Sequence, residues 1–310
     1  MTILVVGAGA TGGYFGARLA QAGRDVTFLV RPHRAGQLRE RGLRIVGPGA
    51  GAGPTLRPNL VLAGELTGPA DIVILSVKAT ALEAAIADFA PAVGPHTTVV
   101  PFLNGMLHLP VLSKRFGEPA VLGGVVEVAT QLNDEGDIVQ LAPLAKLIIG
   151  AQDGSRSTRL QATFDQLSGA GFDASISDEI IGRMWQKWVL VATIGALTSL
   201  MRGTVGEIVA VPGGRELGPA ILAEASAVAA AAGYPVGPDA IARTRQVTTE
   251  AGSPLNSSLS RDVADGRPAE VEQVLADLAR RGADHGVKTP LFDLATMQLR
   301  IYNNSLQPSP

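Results

Sequence analysis

The residues whose types and spacing could do chemistry begin with Gly7, Gly9 and Gly12, a G-x-G-x-x-G run placed directly after an apolar stretch at 3–6. Each glycine answers a separate need. Gly7 permits a tight turn, Gly9 lets the backbone approach a pyrophosphate, and Gly12 lets the following helix pack close to the strand. The free N–H groups at the helix start, those of Ala10, Thr11 and Gly12, and the positive end of the helix dipole then face the phosphates. The pattern predicts a buried strand over 3–6, a helix to about residue 22 and a second strand over 26–30. A glycine-rich turn without a ligand is the plainer alternative.

Arg31 stands at the carboxyl end of that second strand, where an NAD site would carry an Asp or Glu for the ribose hydroxyls. A cation there, with Arg34 close behind, suits the 2′-phosphate of NADP(H). A solvated loop arginine is the alternative. Two further polar residues follow apolar runs: Lys78 after 71–77 and Asn104 after 97–100. Both fall just past expected strand ends, on the edge where an open parallel sheet binds ligands. Either alone could be a loop cap, but two on that edge read as site residues.

The second half of the chain holds Lys187, in the segment Arg183-Met-Trp185-Gln-Lys187-Trp188. On a helix, Arg183, Lys187, Val191 and Gly195 share one face at four-residue steps. With apolar or absent side chains above it and tryptophans on either side, the lysine would lose hydration. Its pKa would then fall toward neutrality and make it a usable proton donor. A lysine whose stem covers apolar surface while its ammonium reaches water fits the spacing equally well. Ser257 and Ser258 lie at an expected helix start, where hydroxyls and free N–H groups suit a carboxylate; a plain N-cap serine is the equal alternative. Glu270 is expected to open a helix running through 280, where a first-turn acid serving the dipole is the favoured reading.

These residues need two kinds of support. Apolar runs alternate with helical stretches through the first half: a helix over 34–41, a strand over 71–77, a helix over 80–89 and a strand over 97–100. The Gly/Pro stretch 47–54 breaks regular structure and reads as a loop, a hairpin tip or a lid. Extended runs at 121–129, 137–141 and 146–149 are expected to complete the sheet with antiparallel strands, and a helix over 155–168 and a strand near Phe172 to close it. Beyond that the chain reads as helical, with Ser177 as an N-cap candidate ahead of Asp178 and Glu179. The expected architecture is an α/β Rossmann-type dinucleotide-binding domain over 1–176, followed by an all-α C-terminal domain over 177–310.

Composition narrows the function classes. A chain of 310 residues, 46% hydrophobic and 17% charged, has apolar material for two cores. A net charge of −2 gives no electrostatic basis for nucleic-acid or membrane-surface binding. The absence of cysteine excludes disulfides, thiolate metal sites and a cysteine nucleophile, and the four histidines show no metal-ligand spacing. The first apolar run, without a basic leader and interrupted by Gly7, is not expected to act as a signal peptide, and the longest other apolar stretch falls short of the ~18–20 residues a membrane span needs. A soluble, cytoplasmic protein is expected, and its apolar helical domain could support a homodimer.

Taken together, the glycine loop, Arg31, Lys78, Asn104-Gly105, the W-x-K at Trp185–Lys187, the serine pair and Glu270 resemble, in order and spacing, the ketopantoate reductase (2-dehydropantoate 2-reductase) family over nearly the whole chain. The resemblance implies a nucleotide-binding domain joined to a helical domain, with the active site in the cleft between. It implies hydride transfer from NADPH to a 2-oxo acid, a step of pantothenate biosynthesis when that acid is ketopantoate. By this carry-over Lys187 is the general acid and Glu270 holds Lys187 or the substrate hydroxyl. Asn104 and Ser258 bind substrate, Asn104 also contacts the cofactor, and Lys78 lies near the nicotinamide end of the cofactor. One departure bears on substrate: family members that reduce ketopantoate usually carry asparagines four and eight residues after the lysine, where this chain has Val191 and Gly195. A bulkier or more apolar 2-oxo acid, or the corresponding 2-hydroxy acid, fits the altered pocket equally well. A non-catalytic NADP(H)-binding redox sensor is the reading from a different class.

Overall fold

Five short apolar runs, each closed by a polar or glycine-bearing turn, build the sheet that carries the glycine loop. The computed structural model describes residues 1–47 and 54–306 and divides into two units. The first takes Met1–Leu103 and His108–Ile181, and the second Asn104–Leu107 and the chain from Gly182 onward.

In chain order the first unit carries β1 (Thr2–Val6), α1 (Ala10–Gln21), β2 (Asp25–Leu29), α2 (Pro32–Arg41), β3 (Ile45–Val46), β4 (Asn59–Val61) and β5 (Ile72–Leu75). Then come α3 (Leu82–Phe89), β6 (Thr98–Pro101), α4 (His108–Phe116), β7 (Leu122–Leu132), β8 (Ile138–Ala151), α5 (Thr158–Leu167) and β9 (Asp173–Ile176). A parallel sheet of order β4-β2-β1-β5-β6 forms its centre. The winding reverses between β1 and β5, so the loops after these two strands flank the crevice in which such sheets bind ligands. All four residues of β5 are fully buried, as a strand covered on both faces requires.

The extended runs after residue 120 do not complete this sheet. They form a second one, of order β3-β8-β7 with β9 also paired to β8. The reason lies in β8: the two runs expected at 137–141 and 146–149 are one strand of 14 residues. It pairs antiparallel with β7, while β3 and β9 join it in parallel at its two ends. Among the described residues a lone Val99–Val121 bridge links the sheets.

Helix α1 is packed by both sheets. A Cβ on Gly13 would lie 2.7 Å from Ile138 Cδ1 of β8, and one on Gly16 would lie 2.6 Å from the Phe28 ring of β2. Phe15 fills the layer between, edge-on to Phe102 and Phe172 with centroids 5.2 and 4.8 Å away. Leu43 and Leu56 exchange backbone hydrogen bonds of 2.8 and 2.9 Å across the Gly/Pro stretch. The loop or lid expected there lies, at 48–53, outside the described residues.

The second unit is helical: α6 (Ile180–Met201), α7 (Val205–Val209), α8 (Gly214–Ala231), α9 (Pro238–Thr248), α10 (Ser258–Ala264), a π-helical turn (Glu272–Ala276), α11 (Asp277–Asp284) and α12 (Pro290–Ser305). Ser177 does not cap α6. Its Oγ accepts the Glu179 N–H at 3.2 Å in a turn just upstream. Buried residues surround α6 on several sides, among them Trp185, Trp188, Ala192, Ala196 and Leu197, as expected of a helix that is apolar all round. Hydrogen bonds that tie it to its neighbours include Trp188 Nε1 to Val274 O at 2.8 Å and Thr198 Oγ1 to Ser257 Oγ at 2.7 Å. The helix expected to open at Glu270 starts instead as the π-helical turn at Glu272, with Val271 at its N-cap.

Candidate active site

The glycine loop shows why each of its glycines is there. Gly7 has φ +95°, and a Cβ on it would sit 2.5 Å from Ser76 O of the turn after β5. A Cβ on Gly12 would lie 2.3 Å from Gly7 O and 2.7 Å from Ser76 Cβ. The protein itself forbids side chains at both positions. At Gly9 the same Cβ meets nothing within 4 Å among the described residues. Gly9 is also the N-cap of α1, a helix with no side-chain cap and no acid in its first turn. An open cradle beside uncapped N–H groups of Ala10, Thr11 and Gly12 fits the pyrophosphate of a dinucleotide.

Arg31 is exposed and extended at the N-cap of α2, just beyond β2. Lys78 is exposed and stands at the N-cap of the 3-10 turn Ala79–Ala81 beyond β5. Both cations lie on the carboxyl edge of the parallel strands, as the glycine loop does. Arg34 does not join them. Its guanidinium turns inward, with Nε donating to Ala8 O at 3.0 Å and Nη1 to Gly136 O at 2.9 Å and Gln37 Oε1 at 3.2 Å. Its burial pulls the guanidinium pKa below its usual value.

In the second unit four connections bring the remaining segments together. Gln273 Nε2 donates to Asn104 O at 2.7 Å and holds Asn104–Leu107 against the π-helical turn. Trp188 joins α6 to the same turn, and Thr198 joins α6 to the start of α10. Asn303 of α12 grips Ala269, the residue before Glu270, accepting from its N–H and donating to its carbonyl, each at 2.9 Å. The segments bearing Asn104, Lys187, Ser258 and Glu270 thus belong to one packed body.

Within that body Lys187 and Glu270 are half-buried. The tryptophans that flank Lys187 in sequence point elsewhere. They meet each other at 4.8 Å, Trp185 stacks on Tyr234 at 5.7 Å, and the Arg281 guanidinium lies 5.6 Å from each indole. Helical geometry explains this, since the two indoles project roughly 200° and 100° around the helix from Lys187. The lysine's own face continues through half-buried Val191 to Gly195, whose Cβ position is 3.0 Å from Leu259 Cδ1 and 3.7 Å from Leu275 Cδ2.

The serine pair divides its roles. Ser257 is the buried N-cap of α10, and its Oγ accepts the Ser260 N–H at 3.0 Å. Ser258 is exposed at the first helical position. Gln273 and Asn303 escaped the sequence reading. For Gln273 a signal existed, a polar residue among Val271, Val274, Leu275 and Leu278 that is 5% exposed. For Asn303, near the chain end, there was none. No group of His, Asp or Glu among the described residues could hold a metal ion, and no described helix is long and apolar enough to cross a membrane.

Two family models match the chain: ketopantoate reductase PanE/ApbA over residues 3–154 and its C-terminal counterpart over 179–303. The chain belongs to the ketopantoate reductase family. Its relatives are oxidoreductases, and so is this chain. It is 32% identical, over 97% of its length and 99% of the relative's, to an uncharacterized oxidoreductase (YkpB) of Bacillus subtilis. It is 28% identical to a 2-dehydropantoate 2-reductase of Mesorhizobium japonicum, over 97% of each chain. Among solved structures, D-mandelate dehydrogenase with NADH and anilino(oxo)acetate shares the fold at TM-score 0.89 and 24% identity, over 99% of each chain.

Proposed function

We propose that this chain is a cytoplasmic enzyme that reduces a 2-oxo acid with NADPH, ketopantoate being the default substrate, and that Lys187 is the general acid. The observation that carries the cofactor half is the cradle at Gly9, left open by the described residues and set at an uncapped helix start. Residues 1–176 form the NADP domain in this reading and 177–310 the substrate domain. The N–H groups of Ala10, Thr11 and Gly12 hold the pyrophosphate, Arg31 the 2′-phosphate, and Lys78 lies toward the nicotinamide end. NADPH, when bound, supplies the hydride.

The chain's own residues supply the rest. Lys187 holds the proton at Nζ and passes it to the carbonyl oxygen as negative charge gathers there. A cation next to a developing oxyanion in a site screened from water gives the strongest electrostatic stabilisation available to such a step. Glu270 keeps the Lys187 ammonium or the new hydroxyl in place, while Asn104 and Ser258 hold the substrate.

A second reading keeps the chemistry and changes the substrate. The face above Lys187 carries Val191 and then Gly195 against Leu259 and Leu275, without a hydrogen-bonding side chain at either step. That favours a 2-oxo acid with an apolar side chain, in reduction or in the reverse oxidation of its 2-hydroxy acid. The test is the initial rate of NADPH oxidation with ketopantoate beside aliphatic and aromatic 2-oxo acids. A wide preference for ketopantoate supports a place in pantothenate synthesis, and a preference for an apolar acid supports the second reading. NADPH binding with no turnover of any acid overturns both in favour of a redox sensor.

A further inference from the structure

We propose that Arg34 is a positioning residue for the cofactor, a brace that fixes the phosphate loop by tying it to the turn between β7 and β8. The proposal rests on the dinucleotide reading above. Ala8, between Gly7 and Gly9, is 3% exposed where the chain leaves the sheet, and its carbonyl receives the Arg34 Nε–H at 3.0 Å. From the same guanidinium Nη1 reaches Gly136 O at 2.9 Å, more than a hundred residues away in sequence. Only a planar fork of donors spans two fixed carbonyls in this way; an ammonium serves as a point charge.

The far end of the brace is itself anchored. Arg44 grips both oxygens of Asp137, Arg41 Nη2 lies 3.0 Å from Glu135 Oε2, and Asn133 Oδ1 accepts the Asp137 N–H at 2.8 Å. Gly136 leaves room for the guanidinium, since a Cβ there would stand 2.6 Å from Arg34 Nη1. The turn is thus a platform and the loop is the part it steadies.

The electrostatics point the same way. Arg34 is half-buried, its burial lowers the guanidinium pKa, and Asp137, the carboxylate that offsets this, is already gripped by Arg44. Its Nη2 is buried with no hydrogen-bond acceptor among the described residues. A guanidinium stays charged in proteins, and burying it without a direct anionic partner is unfavourable. An anionic ligand on the loop it braces adds to the partial counter-charge that Asp137 provides. The pyrophosphate is common to NADPH and NADH, so this residue supports both cofactors equally, whereas Arg31 is the one that would tell them apart.

The test compares the wild-type chain with Arg34→Met, Arg34→Lys and Gly136→Ala. It uses calorimetric titration with NADPH and with NADH, and hydrogen exchange of residues 8–14 in the cofactor-free protein. Arg34→Met is expected to raise both dissociation constants about tenfold, the loss of one charge-assisted hydrogen bond, with their ratio unchanged. Loop exchange accelerates, while kcat at saturating cofactor stays near wild type. Arg34→Lys falls between, and Gly136→Ala, which crowds the guanidinium and also strains a turn residue at φ +81°, reproduces the same signs with an added loss of stability. A loss confined to NADPH would overturn the brace and place Arg34 on the 2′-phosphate. Unchanged affinities and exchange in folded variants would make it a packing residue only. If the wild-type chain binds neither cofactor, the dinucleotide reading fails, and the exchange measurement alone decides the brace.

Discussion

Replacing Gly9 and Gly12 by alanine, one at a time, separates the demands of the fold from those of the ligand. The Gly12 Cβ would sit 2.3 Å from a backbone oxygen and 2.7 Å from Ser76 Cβ, atoms that cannot rotate away. Overpacking of this kind costs about 3 kcal/mol. Alanine's better helix propensity returns about 1 kcal/mol, leaving a net loss of about 2. At about 2–4 °C per kcal/mol, Tm should fall by about 4–8 °C. For Gly9→Ala the Cβ meets no atom of the described residues within 4 Å, and φ −80° with ψ −164° suits alanine. Its poorer N-cap preference, about 0.5–1 kcal/mol, is offset by about 0.4–1 kcal/mol from a less flexible unfolded chain. Stability should stay within about 0.5 kcal/mol of wild type. Its Cβ nevertheless fills the space left for the pyrophosphate and breaks one charge-assisted hydrogen bond, worth about 1.5–3 kcal/mol, so the NADPH dissociation constant should rise about 10- to 100-fold. Scanning calorimetry and cofactor titration on both variants make the assay. Equal Tm losses in the two, or unaltered NADPH affinity in Gly9→Ala, would refute the reasoning.

Other expectations rest on separate parts of the chain. Arg31→Ala should weaken NADPH far more than NADH in parallel titrations; equal losses would remove the 2′-phosphate assignment. Val191→Asn adds a hydrogen-bonding group one turn above Lys187 and should raise kcat/KM for ketopantoate relative to an apolar 2-oxo acid by about tenfold, the value of one good hydrogen bond. The Arg44 guanidinium holds the Asp137 carboxyl below its usual pKa. A folded-state pKa below the unfolded one stabilises the native state above the unfolded value, about 3.9, and that contribution is lost as pH falls through the lower folded value. Urea unfolding should therefore show Asp137→Asn less stable than wild type at pH 6, with the gap closing below about pH 4.

The first strand–loop–helix–strand unit was legible in the sequence because its signals are local. Gly7, Gly9 and Gly12 lie within six residues, and the partner strand follows one helix later. The second sheet was not, because β8 draws its partners β3 and β9 from opposite sides in sequence. No periodicity within residues 120–150 announces that. Arg31 and Arg34 look alike at a spacing of three, yet α2 leaves one exposed at its cap and turns the other inward. The four-residue steps from Lys187 identified the face that meets Leu259 and Leu275, but sequence adjacency misplaced the tryptophans, which a helix carries round to Arg281. An ordinary helical period from Glu270 onward is broken by the π-helical turn, so sequence spacing does not reveal Gln273 and its hold on Asn104. Such turns recur at functional sites, where one extra residue redirects the neighbouring side chains.

The central claim, that Lys187 donates the proton in a cofactor-dependent reduction, is met most directly by single-turnover NADPH oxidation in wild type and Lys187→Ala, both saturated with cofactor and with the best 2-oxo acid found. The rate is expected to fall by ~10²–10⁴-fold, the usual contribution of a general acid, while NADPH affinity hardly changes. An unaltered rate would contradict it, and a large loss of NADPH binding would assign Lys187 to the cofactor instead.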